Sequence, residues 1–510
     1  MEGYLCPHVN PRDTLFAEEG VCKRFGYQPP TPDPDWIAEF ETFVDQWVTK
    51  NLAPLPPDAD VSIDTWLAST DYPEHRKQEL RDCWEHHGEN NKDPKLRRCK
   101  GFVKDEFYTE FKYPRLINAR HDWFKVASGP TFKLIEKELF KLDYFIKKIP
   151  VADRPQYIME KLYVPNATYY NGDYTSFEAL FVQELMVKCE MKLYKHMTQF
   201  LPTKDQFWRL LEVLLKRNKI TYRDFVVFLR ATRMSGEMCT SLGNGFSDLM
   251  FLLFIAYKLG ATNVAAVIEG DDNLSRLDGL KEEMKPVHFA KLGLSIKLEH
   301  HTDLSEASFC GLIFDPEDLV NVTCPMKALC LVGWTQSKYA KCRGAKLKGL
   351  LRAKALSMAY QYPGCPILGH AARAFLRLTA GFDHTWTLKN YDYWQRQKDK
   401  WQKGNVPWKE PPMRTRLLVE RKFGISIEDQ LRCEEYFDRL DRLGPLVLPW
   451  TVDPPSDWKS FWDDYVMVVD VNNESSEAPR LYMALADYEP QHQAKHAYKN
   501  KQWKAPVGSA

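Results

Sequence analysis

Five apolar residues, Val264-Ala265-Ala266-Val267-Ile268, run straight into Glu269-Gly270-Asp271-Asp272-Asn273, and this junction constrains the fold more than any other stretch of the chain. An apolar run that stops at Gly-Asp reads as a buried strand entering a tight hairpin turn. Two adjacent carboxylates at such a tip repel each other, so folding alone gives little reason to place them there unless something cationic sits between them. A pair of divalent metal ions is the natural candidate. Gly-Asp turns also cap ordinary solvated hairpins, so the rest of the chain has to decide between the two readings.

At 510 residues the chain is too long for one ordinary core, which predicts two to four subdomains around a shared cleft. An apolar content of 44% leaves ample material for burial and excludes wholesale disorder. Lys plus Arg (70) almost cancels Asp plus Glu (69), but affinity for phosphates depends on where the positive charge lies. Between Asp318 and Asp383 there is no Asp or Glu, while the stretch carries Lys338, Lys341, Arg343, Lys346, Lys348 and Arg352 among its cations. A basic solvated helix face is one reading; the lack of counter-charge fits better with a surface that meets a polyanion. Twelve cysteines without a Cys-x-x-Cys pair predict a reduced compartment. Cys83, His86, His87 and Cys99 fit no standard zinc spacing and read as polar helix surface. The longest apolar run, Leu249 to Tyr257, is nine residues, far below a membrane span, and no signal-peptide pattern opens the chain. Membrane association is therefore expected only through a partner or a region absent here.

Pattern along the chain predicts helices at Trp36–Val48, His75–Trp84, Thr131–Lys148, Phe177–Met197, Gln206–Lys216, about Thr240–Lys258 and 281–291. Strands are expected at Ala167–Gly172, in the hairpin bearing Asp271 and Asp272, at Leu294–Leu298 and around Phe309–Phe314. Beyond 325 the pattern is mainly helical to about 380, then Trp-rich and broken by prolines.

Asp173 stands in Gly172-Asp173-Tyr174-Thr175-Ser176-Phe177-Glu178, a strand-to-helix transition where a carboxylate can face outward; a helix cap is the plainer reading. If the strands of Asp173 and Asp271 are neighbours, both converge with Asp272 on one ledge, and three carboxylates with waters and phosphates suit Mg²⁺. Between them lies Ser235-Gly236-Glu237-Met238-Cys239-Thr240-Ser241-Leu242-Gly243-Asn244-Gly245. Its glycines permit close backbone approach, and Thr240 and Asn244, four apart, share one helix face where they can read one ligand such as a ribose 2′-hydroxyl. Tight packing of a glycine-rich helix start explains the same residues without a ligand.

The order of these segments, acid at a strand end, Ser-Gly-three-Thr-three-Asn, then Gly-Asp-Asp in a hairpin, resembles palm motifs A, B and C of viral RNA-dependent RNA polymerases. Lys104-Asp105-Glu106, Lys112, Pro114-Arg115-Leu116-Ile117 and Arg120 look like the basic finger motif F, in a form closest to tombusvirus-like polymerases of positive-strand RNA viruses. Lys291 to Glu299 is similar to motif D, and Phe309-Cys310-Gly311 to motif E. Together these cover roughly residues 100 to 315.

The resemblance implies an α+β right-handed polymerase: fingers, an antiparallel palm sheet backed by helices, and a mainly helical thumb. Its parts would be an N-terminal helical layer at 1–95, fingers at 96–165 with an insertion at about 198–232, palm at 166–318, thumb at 319–450 and a C-terminal extension at 451–510. It implies Asp173 and Asp271 as principal ligands of two Mg²⁺ ions, replaceable by Mn²⁺, with Asp272 supporting. Ser235, Gly236, Thr240, Asn244 and Glu178 would contact the nucleotide and its ribose. Lys112, Arg115 and Arg120 would grip the triphosphate, and Lys104 with the basic 338–352 stretch would hold RNA. Glu178 replaces the second Asp usual in motif A, and Lys297 is the expected motif D proton donor, with His300 and His301 as rivals. Tyr391, Tyr393, Trp394, Trp401 and Trp408 offer rings to stack on a terminal base during unprimed initiation. RNA template and product, ribonucleoside triphosphates, and viral or host replication proteins are the implied partners, in host cytoplasm at membrane-associated complexes. A reverse transcriptase would carry Tyr-x-Asp-Asp at the hairpin and a bulky ribose gate. A silent RNA-binding scaffold would not need the intact acids.

Overall fold

The long apolar helix foreseen near the middle of the chain spans Thr240–Lys258, is buried on almost every side from Leu242 to Ala256, and has the larger core built around it. The computed structural model describes residues 14–89, 91–106, 113–333, 339, 342–388, 406–444 and 446–448. These divide into two units: one of 21–102 and 116–311, and another of the described parts of 1–20, 103–115 and 312–510.

Among the described residues eight strands carry the first level of organisation: β1 Cys99–Val103, β2 Leu116–Arg120, β3 Tyr169–Tyr174, β4 Arg217–Thr221, β5 Val226–Arg230, β6 Asn263–Glu269, β7 Asp272–Asp278 and β8 Ile296–His301. One sheet has the order β6-β7-β3-β8 and is antiparallel throughout. Ala265 to Ile268 are all buried, as an apolar run entering a covered strand requires, and β6 and β7 pack against the Thr240–Lys258 helix. The other sheet has the order β2-β1-β4-β5, with β1 and β4 parallel and β4 and β5 a hairpin.

The helix Pro34–Asn51 starts from Asp33, whose carboxylate accepts from the amides of Asp35 and Trp36, with Pro34 at its first position. Ile37, Phe40, Val44 and Val48 recur at helical spacing and turn one stripe into the core, where Phe40 meets Phe254 edge to face at 5.3 Å.

Four sequence expectations change. Around Phe309–Phe314 no strand forms, and Ile313 makes only an isolated bridge to Val322. The helix foreseen at Phe177–Met197 is three short ones, Phe177–Leu180, Gln183–Lys188 and Glu190–Thr198. The carbonyls of Glu178 and Phe181 accept instead from the amides of Arg233 and Thr232, so distant backbone replaces the in-helix donors and the helix breaks. The helix expected at Thr131–Lys148 is Asp122–Leu139, with Pro130 inside it. Past Leu139 the chain leaves the helix: the amide of Ile268 donates to the carbonyl of Tyr144 at 2.8 Å, and Phe145 bridges to Ile268, which covers the outer edge of β6. Residues 281–291 are helical only over Pro286–Ala290, and the next strand begins at Ile296, after Gly293 at φ 79°.

The second unit is helical, with Pro325–Val332, Ala345–Gln361, Leu368–Leu378, Met413–Phe423 and Ile427–Arg439 around a core that includes Leu329, Leu368, Val419 and Phe437. Among the described residues no helix is long and apolar enough to cross a membrane.

Candidate active site

Glu269 closes β6 and pairs with Asp272, the first residue of β7, across the two-residue turn Gly270-Asp271. Gly270 has φ 68° and Asp271 does not share that left-handed conformation, the pattern of a type II′ hairpin turn, which matches strand twist and favours glycine at its first position. On its far side β7 pairs with β3, with Gly172 opposite Asn273. The same register continued by one residue sets Asp173 opposite Asp272. On the other flank of β3, Lys297 of β8 stands opposite Asp173. The two strand ends and the turn therefore bring Asp173, Asp271 and Asp272 to one end of one sheet, with Lys297 beside them.

Electrostatics records the crowding. Asp271 and Asp272 are exposed at the turn, and the neighbouring protein still desolvates their carboxyl groups in part. Desolvation first, then the charges of Asp272, Glu178 and Asp173, push Asp271 up to about 6. Asp272 is raised by desolvation, Asp173 and Glu269, against which the Cys310 thiol donates a hydrogen bond. Lys297 is exposed and pairs with Glu299 at 2.7 Å, while still feeling the charge of Asp173.

A divalent cation suits this donor set: hard carboxylate oxygens gathered at one sheet end, two of them raised by the charges around them. Among the described residues no three His, Cys, Asp or Glu side chains form a ready-made cage. Mg²⁺ does not need one, since it commonly takes one or two carboxylates and fills its octahedron with water and substrate phosphates.

The loop before the long helix is tied to the strand-to-helix turn after β3. Ser235 donates to Glu178 Oε1 at 3.0 Å, and Arg24 lies 3.7 Å from Glu178 Oε2. Gly236 has φ 118°, where a Cβ would stand 3.1 Å from Ile117 and 3.5 Å from the Ala119 backbone, so glycine is required for both conformation and approach. Thr240, expected to read a ribose, uses its hydroxyl on the loop: it accepts from the Gly236 amide and donates toward the Met234 carbonyl. Asn244 is 8% exposed, and its side-chain carbonyl oxygen has no hydrogen-bond partner. A buried unpaired acceptor is costly unless a ligand or water completes it. It is close to the Gly270-Asp271 turn, for a Cβ at the adjacent Gly245 would lie 3.8 Å from the Gly270 amide nitrogen.

Arg120 is placed otherwise than a triphosphate clamp requires. It is 2% exposed, bonds Glu237, donates to Asn218 Oδ1 at 2.8 Å and to the Arg97 carbonyl, and so ties β2 to β4 with its donors already used. Arg115 is exposed and forks onto Glu106 at 2.6 and 2.7 Å, and Lys104 lies 3.4 Å from the same carboxylate. Lys112 lies outside the described residues, as do Lys338, Lys341, Tyr391, Tyr393, Trp394 and Trp401. Arg343, Lys346 and Lys348 are exposed. Arg352 is half-buried and donates to the carbonyls of Leu376 and Thr379 at the end of a neighbouring helix, so its guanidinium is structural where the acid-free run suggested RNA contact. Trp408 lies under the Arg373 guanidinium at 4.2 Å.

Sequence reasoning missed the residue beneath the acids. Asp248, fully buried on the long helix, accepts from the Tyr174 hydroxyl at 2.8 Å and from the Asn273 amide at 2.8 and 3.1 Å. It thus joins the residue after Asp173 to the residue after Asp272, and burial raises its pKa well above the carboxylate range. A lone acid inside an apolar helix was the available signal. Glu269 was missed as well: it is bracketed by Lys147 and Arg154, each at 3.6 Å, beside the turn.

Comparison with known proteins identifies the family. Residues 182–443, half of the chain, match the profile of a family described as viral RNA dependent RNA polymerase; the match contains the Ser235–Asn244 loop and the Asp271-Asp272 hairpin and begins beyond Asp173. The chain is similar to the genome polyproteins of Apple stem grooving virus, strains Korea and P-209, at 24% identity over 332 residues, 62% of this chain. It spans 15% of the length of those relatives.

Proposed function

The chain belongs to the viral RNA-dependent RNA polymerase family, and on that premise we propose that it extends an RNA strand on an RNA template from ribonucleoside triphosphates by two-metal nucleotidyl transfer. The observation that carries the proposal is the pairing of β3 with β7, which leaves Asp173 and the Asp271-Asp272 turn at one sheet end while Lys297, the cation in register beside them, is engaged by Glu299. In this reading Asp173 and Asp271 hold two Mg²⁺ ions, or Mn²⁺, with Asp272 supporting. The ions when bound lower the pKa of the attacking 3′-hydroxyl and neutralise charge on the departing pyrophosphate.

The chain's own residues do the rest. Glu178, held by Ser235, and the unpaired carbonyl of Asn244 supply acceptors suited to ribose hydroxyls. Lys297, opposite Asp173 and open to solvent, is positioned to give a proton to pyrophosphate. Base pairing supplies sequence fidelity, while cations hold backbones. The antiparallel sheet corresponds in this reading to the palm of 166–318, the segments 96–165 and 198–232 to fingers, and 319–450 to thumb. Work at membrane-associated complexes in host cytoplasm, through viral or host replication proteins, and kinship with tombusvirus-like enzymes belong to the same proposal.

Purified protein, an unprimed RNA template and labelled nucleotides, with Mg²⁺ or Mn²⁺ present or withheld, test it. Metal-dependent product from ribonucleotides, lost in Asp173→Ala, is expected. Product without added metal, equal product from the variant, or preference for deoxyribonucleotides would overturn it, the last in favour of a reverse transcriptase.

A further inference from the structure

The sheet of β2, β1, β4 and β5 buries one face, and across three of its strands the other face is open. Cross-strand pairing fixes what stands there: Lys219 is opposite Phe228, Arg217 opposite Arg230, and Thr221 opposite Val226. Lys100 of β1 is paired with Thr221, and Phe102, two residues on, projects to the same side. Phe102 and Phe228 are 45% and 49% exposed, unusual for rings of this size. The Arg217 guanidinium lies 4.3 Å from the Phe228 ring centroid, and the Lys219 ammonium 5.9 Å from it.

No outward position of these three strands carries a carboxylate. Apolar exposure alone would suit many partners, but four cations interleaved with two rings suit a polyanion that also offers flat faces. Duplex RNA hides its base faces in its own stack, whereas an unpaired strand presents them. The face also has a boundary that gives it direction. At β2 it is covered by the Ser235-Gly236 loop, where the Asn118 amide donates to the Ser235 carbonyl at 2.7 Å, and the open part begins beyond that loop.

We propose that this open sheet face binds single-stranded RNA, with Phe102 and Phe228 as stacking platforms for bases and Lys100, Arg217, Lys219 and Arg230 as contacts to phosphates. The proposal rests on the polymerase reading, in which the strand is template on its way to the Ser235-Gly236 loop.

Binding of a labelled, unstructured RNA oligonucleotide, followed by fluorescence anisotropy without nucleotides, tests it on surface variants whose fold is checked by thermal unfolding. Phe228→Ala is expected to weaken binding about tenfold, and Phe228→Trp to retain it. The double variant Arg217→Ala/Lys219→Ala should lower the slope of log affinity against log salt by about 1.4, two single-strand phosphate contacts. Blunt duplex RNA should bind Phe228→Ala as it binds the unaltered protein. Unaltered affinity and salt slope in both variants would overturn the proposal, as would an equal loss on duplex RNA from Phe228→Ala. Failure of the polymerase reading is separable: unaltered protein that binds the oligonucleotide yet makes no product would reject synthesis, while the same affinity comparison still judges the sheet.

Discussion

Asp271 is held ionised at neutral pH against its surroundings, and that conflict makes its substitution informative. Its folded pKa of about 6 stands above the ordinary 3.8. For an acid raised on folding, the favourable contribution is present below the unfolded pKa and is lost as pH rises through the folded value, here between about pH 4 and 6. Asp271→Asn should therefore raise the melting temperature of metal-free protein at pH 7.5 by about 2 °C and change it little at pH 4.5. RNA synthesis should meanwhile fall more than about a hundredfold, beyond what loss of a supporting residue costs a metal site. A lower melting temperature at pH 7.5 would contradict the account. Arg120 gives the opposite signature. Buried against Glu237 and Asn218, it should cost about 3–5 kcal/mol when replaced by Ala, measured by denaturant unfolding, because Glu237 is left as an unpaired buried charge. A triphosphate clamp at that position would instead raise KM and leave stability alone.

Between elements, Asp248 joins the long helix to β3 and β7 through Tyr174 and Asn273. Burial favours its neutral form, which Asn imitates, so Asp248→Asn should keep most stability and synthesis. Asp248→Ala strands two buried partners and should cost about 1–3 kcal/mol, with kcat down about 10- to 100-fold and nucleotide KM little changed; steady-state kinetics and thermal unfolding of both variants decide. The same scale explains what was legible in the sequence. The hairpin and the Thr240–Lys258 helix were readable because their signals are local: an apolar run, a Gly-Asp turn, three glycines before a Leu- and Phe-rich stretch. The breaks at Phe181 and Cys189 were not, because the Phe181 carbonyl is taken by Thr232 from about fifty residues away in sequence. Arg120 was misread for a related reason: a basic residue among basic residues does not disclose that Asn218 and Glu237 will close around it. Asp173 and Lys297 were readable as residue types, but only the β3–β8 register makes them neighbours.

For the molecule as a whole, a net charge of +1 hides strong local contrasts, and the acid-free span between Asp318 and Asp383 is the clearest. It does not have one purpose. Arg352 donates to the carbonyls of Leu376 and Thr379, Lys354 to those of Leu331 and Val332, and Arg377 to those of Phe437 and Leu440. These cations cap helix ends, so backbone oxygens rather than carboxylates serve as their acceptors, which accounts for part of the missing acid. Lys346 and Lys348 differ, since they are exposed and their ammonium groups lie over the rings of Trp386 at 5.9 Å and Phe382 at 4.7 Å. A charge held over an aromatic face keeps its outer side open to phosphate. Lys346→Ala/Lys348→Ala should therefore reduce the slope of log affinity for single-stranded RNA against log salt by about 1.4 and leave the melting temperature nearly unchanged. Arg352→Ala should do the reverse, lowering the melting temperature by several degrees through about 1–3 kcal/mol of lost charged hydrogen bonds and hardly moving the slope. If the slope follows Arg352 rather than the two lysines, the division of this span into helix-capping and phosphate-facing cations is wrong.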